Sequence, residues 1–434
     1  MATVIEKDLN RYEVVKVLNP DDQVLNVSLV STPRDTSPTT LDAFGRLRIS
    51  SPLTLFDSSH RYRDNGLWST NTASGGTATF NANAGLVDLE VTTTSGSLVY
   101  RETNKVFSYQ PGKSLLVMST FVMSPAKTGL RQRVGYFGTN NGFYIELANS
   151  TLSLVERSSV TGSVTETRVT QANWNVDKMD GTGPSGITLD ITKAQILWAD
   201  VEWLGLGTVR MGFVIDGHFV TCHAFNHSNI IATTYITTAS LPLRYEIENT
   251  ASTASASTLK QVCSTVISEG GYELRGAQQA IETPVASPTD LTNASTEYPV
   301  ISIRLKSSPN RLDAIVILTA LSIMGITNNV NYLWKVVQGG TTTGGTWTSA
   351  GTNSAVEYNL TGTSFAGGRA LASGFTNGSN QGSTPVDILK AALFTTQLER
   401  NSFTSTPFEI TLVASADTAG ADILASLDWE EISR

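Results

Sequence analysis

The 434-residue chain carries 30 Lys and Arg against 38 Asp and Glu, and its charged fraction of 16% lies below the roughly 25% usual in globular proteins. A formal net charge of −8 excludes nucleic acid as the main ligand, because a phosphate backbone demands clustered Lys and Arg. Two cysteines, Cys222 and Cys263, exclude a dense disulfide framework, and the longest apolar stretch, about Ala314 to Ile323, is far short of the ~20 residues that cross a bilayer.

In chain order, residues 1–50 read as an extended arm. Alternating segments at Tyr12 to Leu18 and Gln23 to Val30 precede a loop in which Pro33 and Pro38 bracket small polar residues and resist both helix and sheet interior. Met1 to Leu9 lacks the apolar core of a secretory signal, so a soluble protein is expected. Residues 51–275 read as a β-sandwich, beginning with strands near Gly76 to Phe80, Leu86 to Thr93 and Leu98 to Phe107. The clearest run follows: Arg131 to Phe137, Phe143 to Leu147, Thr151 to Ser158, Val164 to Thr170, Gln195 to Trp203, Thr208 to Ile215 and His218 to Phe225. Period-two alternation puts one side of each segment in a core, and turns such as Asn141-Gly142 and Asp216-Gly217 supply the positive φ of tight hairpins. Leu241 to Asn249 and Leu259 to Ser268 close the unit.

The composition shifts at residues 276–287, which read as a linker. Residues 288–434 then read as a second β-sandwich with strands at Val300 to Ser307, Asp313 to Ile323, Tyr332 to Gln338, Ala355 to Leu360, Pro407 to Ser415 and Ile423 to Trp429. Gly-rich stretches at Gly339 to Gly345 and Gly374 to Gly382 read as loops, and the segment after Ser383 is open between a short helix and a strand. The expected fold is therefore all-β: two β-sandwich domains, jelly-roll or concanavalin-like, preceded by an extended N-terminal arm.

Candidate chemistry is sparse. Gly181-Thr182-Gly183-Pro184-Ser185-Gly186 matches the dinucleotide string, but no strand-to-helix turn surrounds it and Pro184 removes a backbone donor, so an ordered loop is expected. His218, Cys222, His223 and His227 crowd one strand, yet alternation sends His218 and Cys222 to one face and His223 to the other. Asp177, Asp180 and Asp190 offer oxygens for Ca2+ without matching a calcium motif. No nucleophile elbow, zinc-protease helix or phosphate loop is present, which points away from an enzyme and from any cofactor. Most tryptophans, Trp198 and Trp203 among them, are expected in the core. Arginines alternate at Arg46 and Arg48, Arg61 and Arg63, and Arg131 and Arg133, so each pair shares one strand face. Arg46, Arg48, Arg131 and Arg133 are the candidate interface residues, as guanidinium clamps for carboxylates of a neighbouring subunit, set against the plainer reading of solvated strand faces.

From Leu41 to Ser50 (LDAFGRLRIS) and Pro52 to Ser58 (PLTLFDS) the chain resembles a family of virion structural proteins of tailed bacteriophages, cyanophages among them. Arg131 to Phe137, Trp174-Asn175, Asp180 to Gly186, Glu202 to Gly205, Arg244 to Asn249 and Cys263 to Gly271 are similar to the same family, so the resemblance spans roughly residues 40–275. It implies a particle component, located in the virion and assembled in the host cytoplasm, and brings no catalytic residues. The expected partners are other copies of the chain, with a trimer as the expected form, and other virion proteins in a neck, collar, tail or fibre. A host-surface glycan is the alternative partner, bound by a sandwich; no nucleic acid and no membrane insertion are expected.

Overall fold

The structure is a computed structural model and describes residues 51–270, 276–378 and 396–433. The N-terminal arm, with Arg46 and Arg48, and the segment after Ser383 lie outside the described residues.

The described residues are β-strands joined by turns, with a single 3-10 turn at Gln171–Asn173. The first lobe opens with β1 (Leu53–Ser59), β2 (Trp68–Ala73), β3 (Thr77–Asn81), β4 (Leu86–Val91) and β5 (Leu98–Thr103). It continues through β6 (Ser114–Val122), β7 (Leu130–Phe137), β8 (Gly142–Ala148), β9 (Thr151–Ser158) and β10 (Thr165–Thr170). Last come β11 (Gln195–Val201), β12 (Val209–Ile215), β13 (His218–Phe225), β14 (Leu243–Asn249) and β15 (Ser257–Glu269). These strands form two antiparallel sheets. One is eight-stranded, in the order β13-β12-β11-β6-β15-β4-β3 with β1 also on β15; the other is seven-stranded, in the order β10-β9-β8-β7-β14-β5-β2.

Period two builds the sandwich. On β7, Leu130, Val134 and Tyr136 face inward and meet Leu197, Ala199 and Val201 of β11 and Leu115, Val117 and Phe121 of β6 in one core. Burial of each large apolar side chain is worth about 1.5–3 kcal/mol. Of the polar groups that enter this core, the Tyr136 hydroxyl donates to the Ala239 carbonyl at 2.8 Å and accepts from the Leu241 N–H at 3.1 Å. Arg101 is wholly buried and bonds both oxygens of Asp64 at 2.7 Å.

The second lobe adds β16 (Ala277–Glu282), β17 (Thr289–Leu291), β18 (Tyr298–Leu305), β19 (Ile315–Gly325), β20 (Asn331–Thr343) and β21 (Thr348–Ser349). It ends with β22 (Val356–Asn359), β23 (Ser364–Asn377), β24 (Ile410–Ala416) and β25 (Ala421–Ser433). Strand β25 lies between β19 on one side and β16 and β17 on the other, and the facing sheet runs β21-β22-β18-β24-β20-β23. A separate core fills the space between them, around Trp429, Tyr332 and Trp334.

Several strands lie where the sequence reading places none. The stretch expected as a linker, 276–287, contains β16, which pairs with β25 from Ala277↔Glu431 to Glu282↔Ser426. Both Gly-rich stretches expected as loops enter the long hairpin of β20 and β23, because the pair registers from Asn331↔Asn377 to Thr343↔Ser364. Central strand β6 (SLLVMSTFV) is apolar on both faces, which hides its period.

The lobes meet along a seam. Lys105 pairs with Glu399 at 2.6 Å, Gln397 donates to Ser108 at 2.7 Å, and the rings of Tyr100 and Phe403 stack with centroids 5.5 Å apart. Asp313 accepts from Thr238 at 2.8 Å and from Arg400 at 3.0 Å. A crevice of about 330 Å³ opens there between the Gly138 to Asn141 turn and Arg400 to Ser405.

Candidate functional site

The candidate arginines sit on the outer face of the seven-stranded sheet, where strand register sets charge opposite charge. Arg133 lies directly between Glu246 of β14 and Glu146 of β8. It bonds Glu146 at 2.7 Å and Glu246 at 3.1 Å, and its side chain is 6% exposed. In the next row Arg131 opposes and pairs with Glu248. Arg244 opposes Glu102 and bonds it at 3.1 Å while also holding Glu246 at 2.6 Å. Towards the edge, Arg157 bonds Glu166 at 2.7 Å, and Arg168 joins Glu146 at 2.7 Å and pairs with Glu166.

Four arginines (133, 157, 168, 244) thus meet four glutamates (102, 146, 166, 246) in one connected lattice, with the Arg131–Glu248 pair in the row beside it. Aromatic rings fill its gaps. Tyr144 packs on Phe137 with centroids 4.4 Å apart, and the guanidinium of Arg157 lies 5.1 Å from the Tyr144 ring. Gly135 makes this close packing possible, since a Cβ there would stand 2.3 Å from the Phe143 carbonyl oxygen and 2.6 Å from Tyr144 Cα.

The lattice sets the charge states. Burial pushes the Glu166 carboxyl up, but the Tyr144 hydroxyl and the Arg157 guanidinium outweigh it and bring the group to about 2. Glu146 and Glu246 follow the same pattern: burial raises them, while Arg168 and Arg133 for the first, and Arg244 and Arg133 for the second, hold both below the ordinary carboxylate range. Glu102 differs, because burial outweighs Arg244 and raises it. Glycoside hydrolysis works with a raised acid beside an ionised carboxylate, both open to a sugar. Glu102 and Glu246 are divergent in pKa but are 5% and 4% exposed and share Arg244, so no sugar fits between them.

Arg131 and Arg133 therefore share a face as the alternation requires, and the carboxylates they clamp belong to this same chain. Nor is the face freely solvated: Arg133 and Glu146 are buried. Arg61 and Arg63 lie in the exposed loop after β1 rather than on a strand. The glutamates were the residues sequence reasoning missed. Their signal was the charge alternation of Arg244-Tyr245-Glu246-Ile247-Glu248 and Glu166-Thr167-Arg168, which places opposite charges on one strand face.

Other sequence candidates disperse. Cys222 packs in the core beside Met179, and His218, opposite Ile215, lies on the same side at the exposed end of the strand. A bulge between β12 and β13 sets Met211 against His223 and Gly212 against Thr221, so His223 comes to the core side as well, correcting the expectation that it points to the other face. His223 accepts from the Asn175 N–H at 3.2 Å, and His227 bonds the Gly207 carbonyl at 2.6 Å and Glu156 at 2.7 Å. Both cysteines are free thiols. In the Gly-rich string, Asp177 accepts from the Met179 and Ser185 N–H groups at 2.8 and 2.7 Å, and a Cβ on Gly183 would strike its carboxylate. Asp180 and Asp190 each cap their own turn through Thr182 and Thr192. Trp68, Trp174 and Trp334 are buried as expected. Trp198, however, lies on the outer face of the eight-stranded sheet, in edge contact with Phe219.

No protein-family model matches the chain, and no curated protein matches it. Among solved structures it is similar to a GH16 protein of the Bacteroides ovatus mixed linkage glucan system, at 9% identity over 49% of this chain and 99% of that one, with a TM-score of 0.33. It is similar to the CBM2 module of an evolved Dit from Lactobacillus casei phage J-1, at 6% identity over 52% and 100% of the two chains, with a TM-score of 0.33. Arcelin-5, a lectin-like defence protein of Phaseolus vulgaris, matches at 11% identity over 51% and 100%, with a TM-score of 0.30. Identities and scores this low transfer neither activity nor ligand to this chain.

Proposed function

We propose that this chain is a non-enzymatic structural component of a tailed-phage particle, assembling as a symmetric oligomer, with residues 1–50 as its attachment arm. The observation that carries the reading is the closed arginine–glutamate lattice: a broad sheet face whose charges are matched within the chain and which offers no open pair of carboxylates for catalysis. The seam from Lys105–Glu399 to Tyr100–Phe403 supports it, because it ties the two sandwiches to each other through an ion pair and a ring stack. The resemblance of residues 40–275 to virion proteins supplies the setting, and symmetric repetition is how one gene product commonly builds a large assembly.

The test is deletion of residues 1–40. Particles assembled with the truncated chain are expected to lack it on quantitative mass spectrometry, while the purified truncated chain melts at the same temperature as the full one. Unchanged incorporation would sink the attachment role, and a monomeric full-length chain by light scattering would sink the oligomer.

A further inference from the structure

The outer face of the eight-stranded sheet ends in a cavity of about 480 Å³, within the roughly 300–1,000 Å³ range of small-molecule sites. Its floor is Asp200 and Glu202 at the end of β11 and Arg210 at the start of β12; Lys113 and Glu269 stand on its rim, and Tyr109 and Leu204 give it apolar edges. From this geometry we infer a binding site for a neutral sugar, recognised through neighbouring hydroxyl groups.

Asp200 carries the argument. It is 7% exposed; its Oδ2 accepts from Arg210 Nε at 2.9 Å and again from Nη2, while Oδ1 has no hydrogen-bond partner. A buried carboxylate oxygen without a donor is expensive to maintain, and a ligand hydroxyl is the donor that fits it. Two residues back on the same face, the indole N–H of Trp198 is also buried without a partner. This end of the face is thus incomplete by itself. Glu202 is held beside Asp200 by construction: the Thr208 N–H donates to it at 3.3 Å, and a Cβ on Gly207 would lie 2.7 Å from its Cγ.

The lining selects the ligand class. Three acids (Asp200, Glu202, Glu269) among two bases (Lys113, Arg210) repel an anion. Among the described residues no three side chains are grouped to hold a metal ion. A polyol uses both signs, donating hydroxyls to the carboxylates and accepting from the guanidinium, while the C–H face of its ring rests on Leu204, which is 59% exposed.

The proposal goes beyond the assembly role and can fail without it. The experiment is saturation-transfer NMR and calorimetry on the full-length chain with methyl glucoside, methyl mannoside, methyl galactoside and N-acetylglucosamine. At least one is expected to bind, and Asp200→Asn and Glu202→Gln are each expected to weaken it by about tenfold or more, the effect of losing a hydrogen bond to a charged group. Both variants are checked for an unchanged melting temperature; Glu202→Gln serves if Asp200→Asn unfolds, since Glu202 is exposed. No transfer from any sugar, binding undiminished in Glu202→Gln, or uptake of Ca2+ alone would each overturn the assignment.

Discussion

The two outer faces of the first sandwich solve the same problem in opposite ways. On the seven-stranded sheet every named charge faces an opposite charge of the same chain, and Phe137 and Tyr144 are fully buried among the guanidinium groups. On the eight-stranded sheet Phe219 is 54% exposed and Ile196 37%, and Asp200 is bonded on only one oxygen. A face whose buried carboxylates are all matched by guanidinium groups has no acceptor left for a ligand, whereas one that leaves a buried oxygen unmatched does. Electrostatic order thus marks the first face as framework and the second as the place to look for binding.

That contrast breaks first at Arg133. Removing it takes one of two guanidinium partners from each of the buried Glu146 and Glu246, which keep Arg168 and Arg244, so Arg133→Ala is expected to lower stability by about 1.5–3 kcal/mol. Lys260→Ala on the other face, where the side chain is 40% exposed and its partner Asp88 24%, is expected to change it by less than about 1 kcal/mol. Urea unfolding of the full chain measures both; equal losses would erase the distinction between the faces.

A smaller effect comes from acid. Glu166, Glu146 and Glu246 have depressed folded values, so the stability they contribute is present above the ordinary carboxylate range and is lost as pH falls towards the folded value of about 2 for Glu166. Melting temperature should drop over that interval, and Glu166→Gln should flatten the drop. An unaltered acid profile in the variant would mean that the lattice does not govern acid stability.

The smallest effect is expected on the alkaline side. His227 faces two acceptors, the Gly207 carbonyl and the Glu156 carboxylate, and only the imidazolium donates to both. Burial lowers its pKa, but these two bonds outweigh burial and raise it. A raised value means stability that is complete below the unfolded value of about 6.5 and lost as pH rises through the folded one. Because Gly207 belongs to the turn beside the Asp200 cavity, rising pH loosens that wall first. Wild type should melt lower at about pH 9 than at about pH 6, with the gap shrinking in His227→Gln. A gap of equal size in the variant would assign it elsewhere.

How far the chain could be read in advance follows from what each feature depends on. Hairpins governed by adjacent residues were legible: Asp216 and Gly217 take φ of 50° and 79°, as an Asp-Gly turn requires. The common face of Arg131 and Arg133 was legible for the same reason, since alternation is local. Their partners were not, because Glu146 and Glu246 come opposite Arg133 only once β8 and β14 have docked in register. The bulge that brings His223 to the core side is likewise a property of two strands together. Glycine misled in the second lobe, where Gly339, at φ of 77°, sits inside β20 without ending it. The Asp200 cavity had no local signature at all, being assembled from the ends of β6, β11, β12 and β15.

The seam has a consequence for how the molecule is made. Residues 103–108 find their partners, Gln397, Glu399, Asn401 and Ser402, almost three hundred positions further along the chain. During synthesis the first sandwich can close as soon as β15 has left the ribosome, since its two sheets take every strand from residues 53–269. The seam has to wait for residue 403. Arrival of the second lobe is thus a late checkpoint: a chain truncated before that point keeps a closed first sandwich with an empty docking edge, and only one that extends past it carries both lobes in contact.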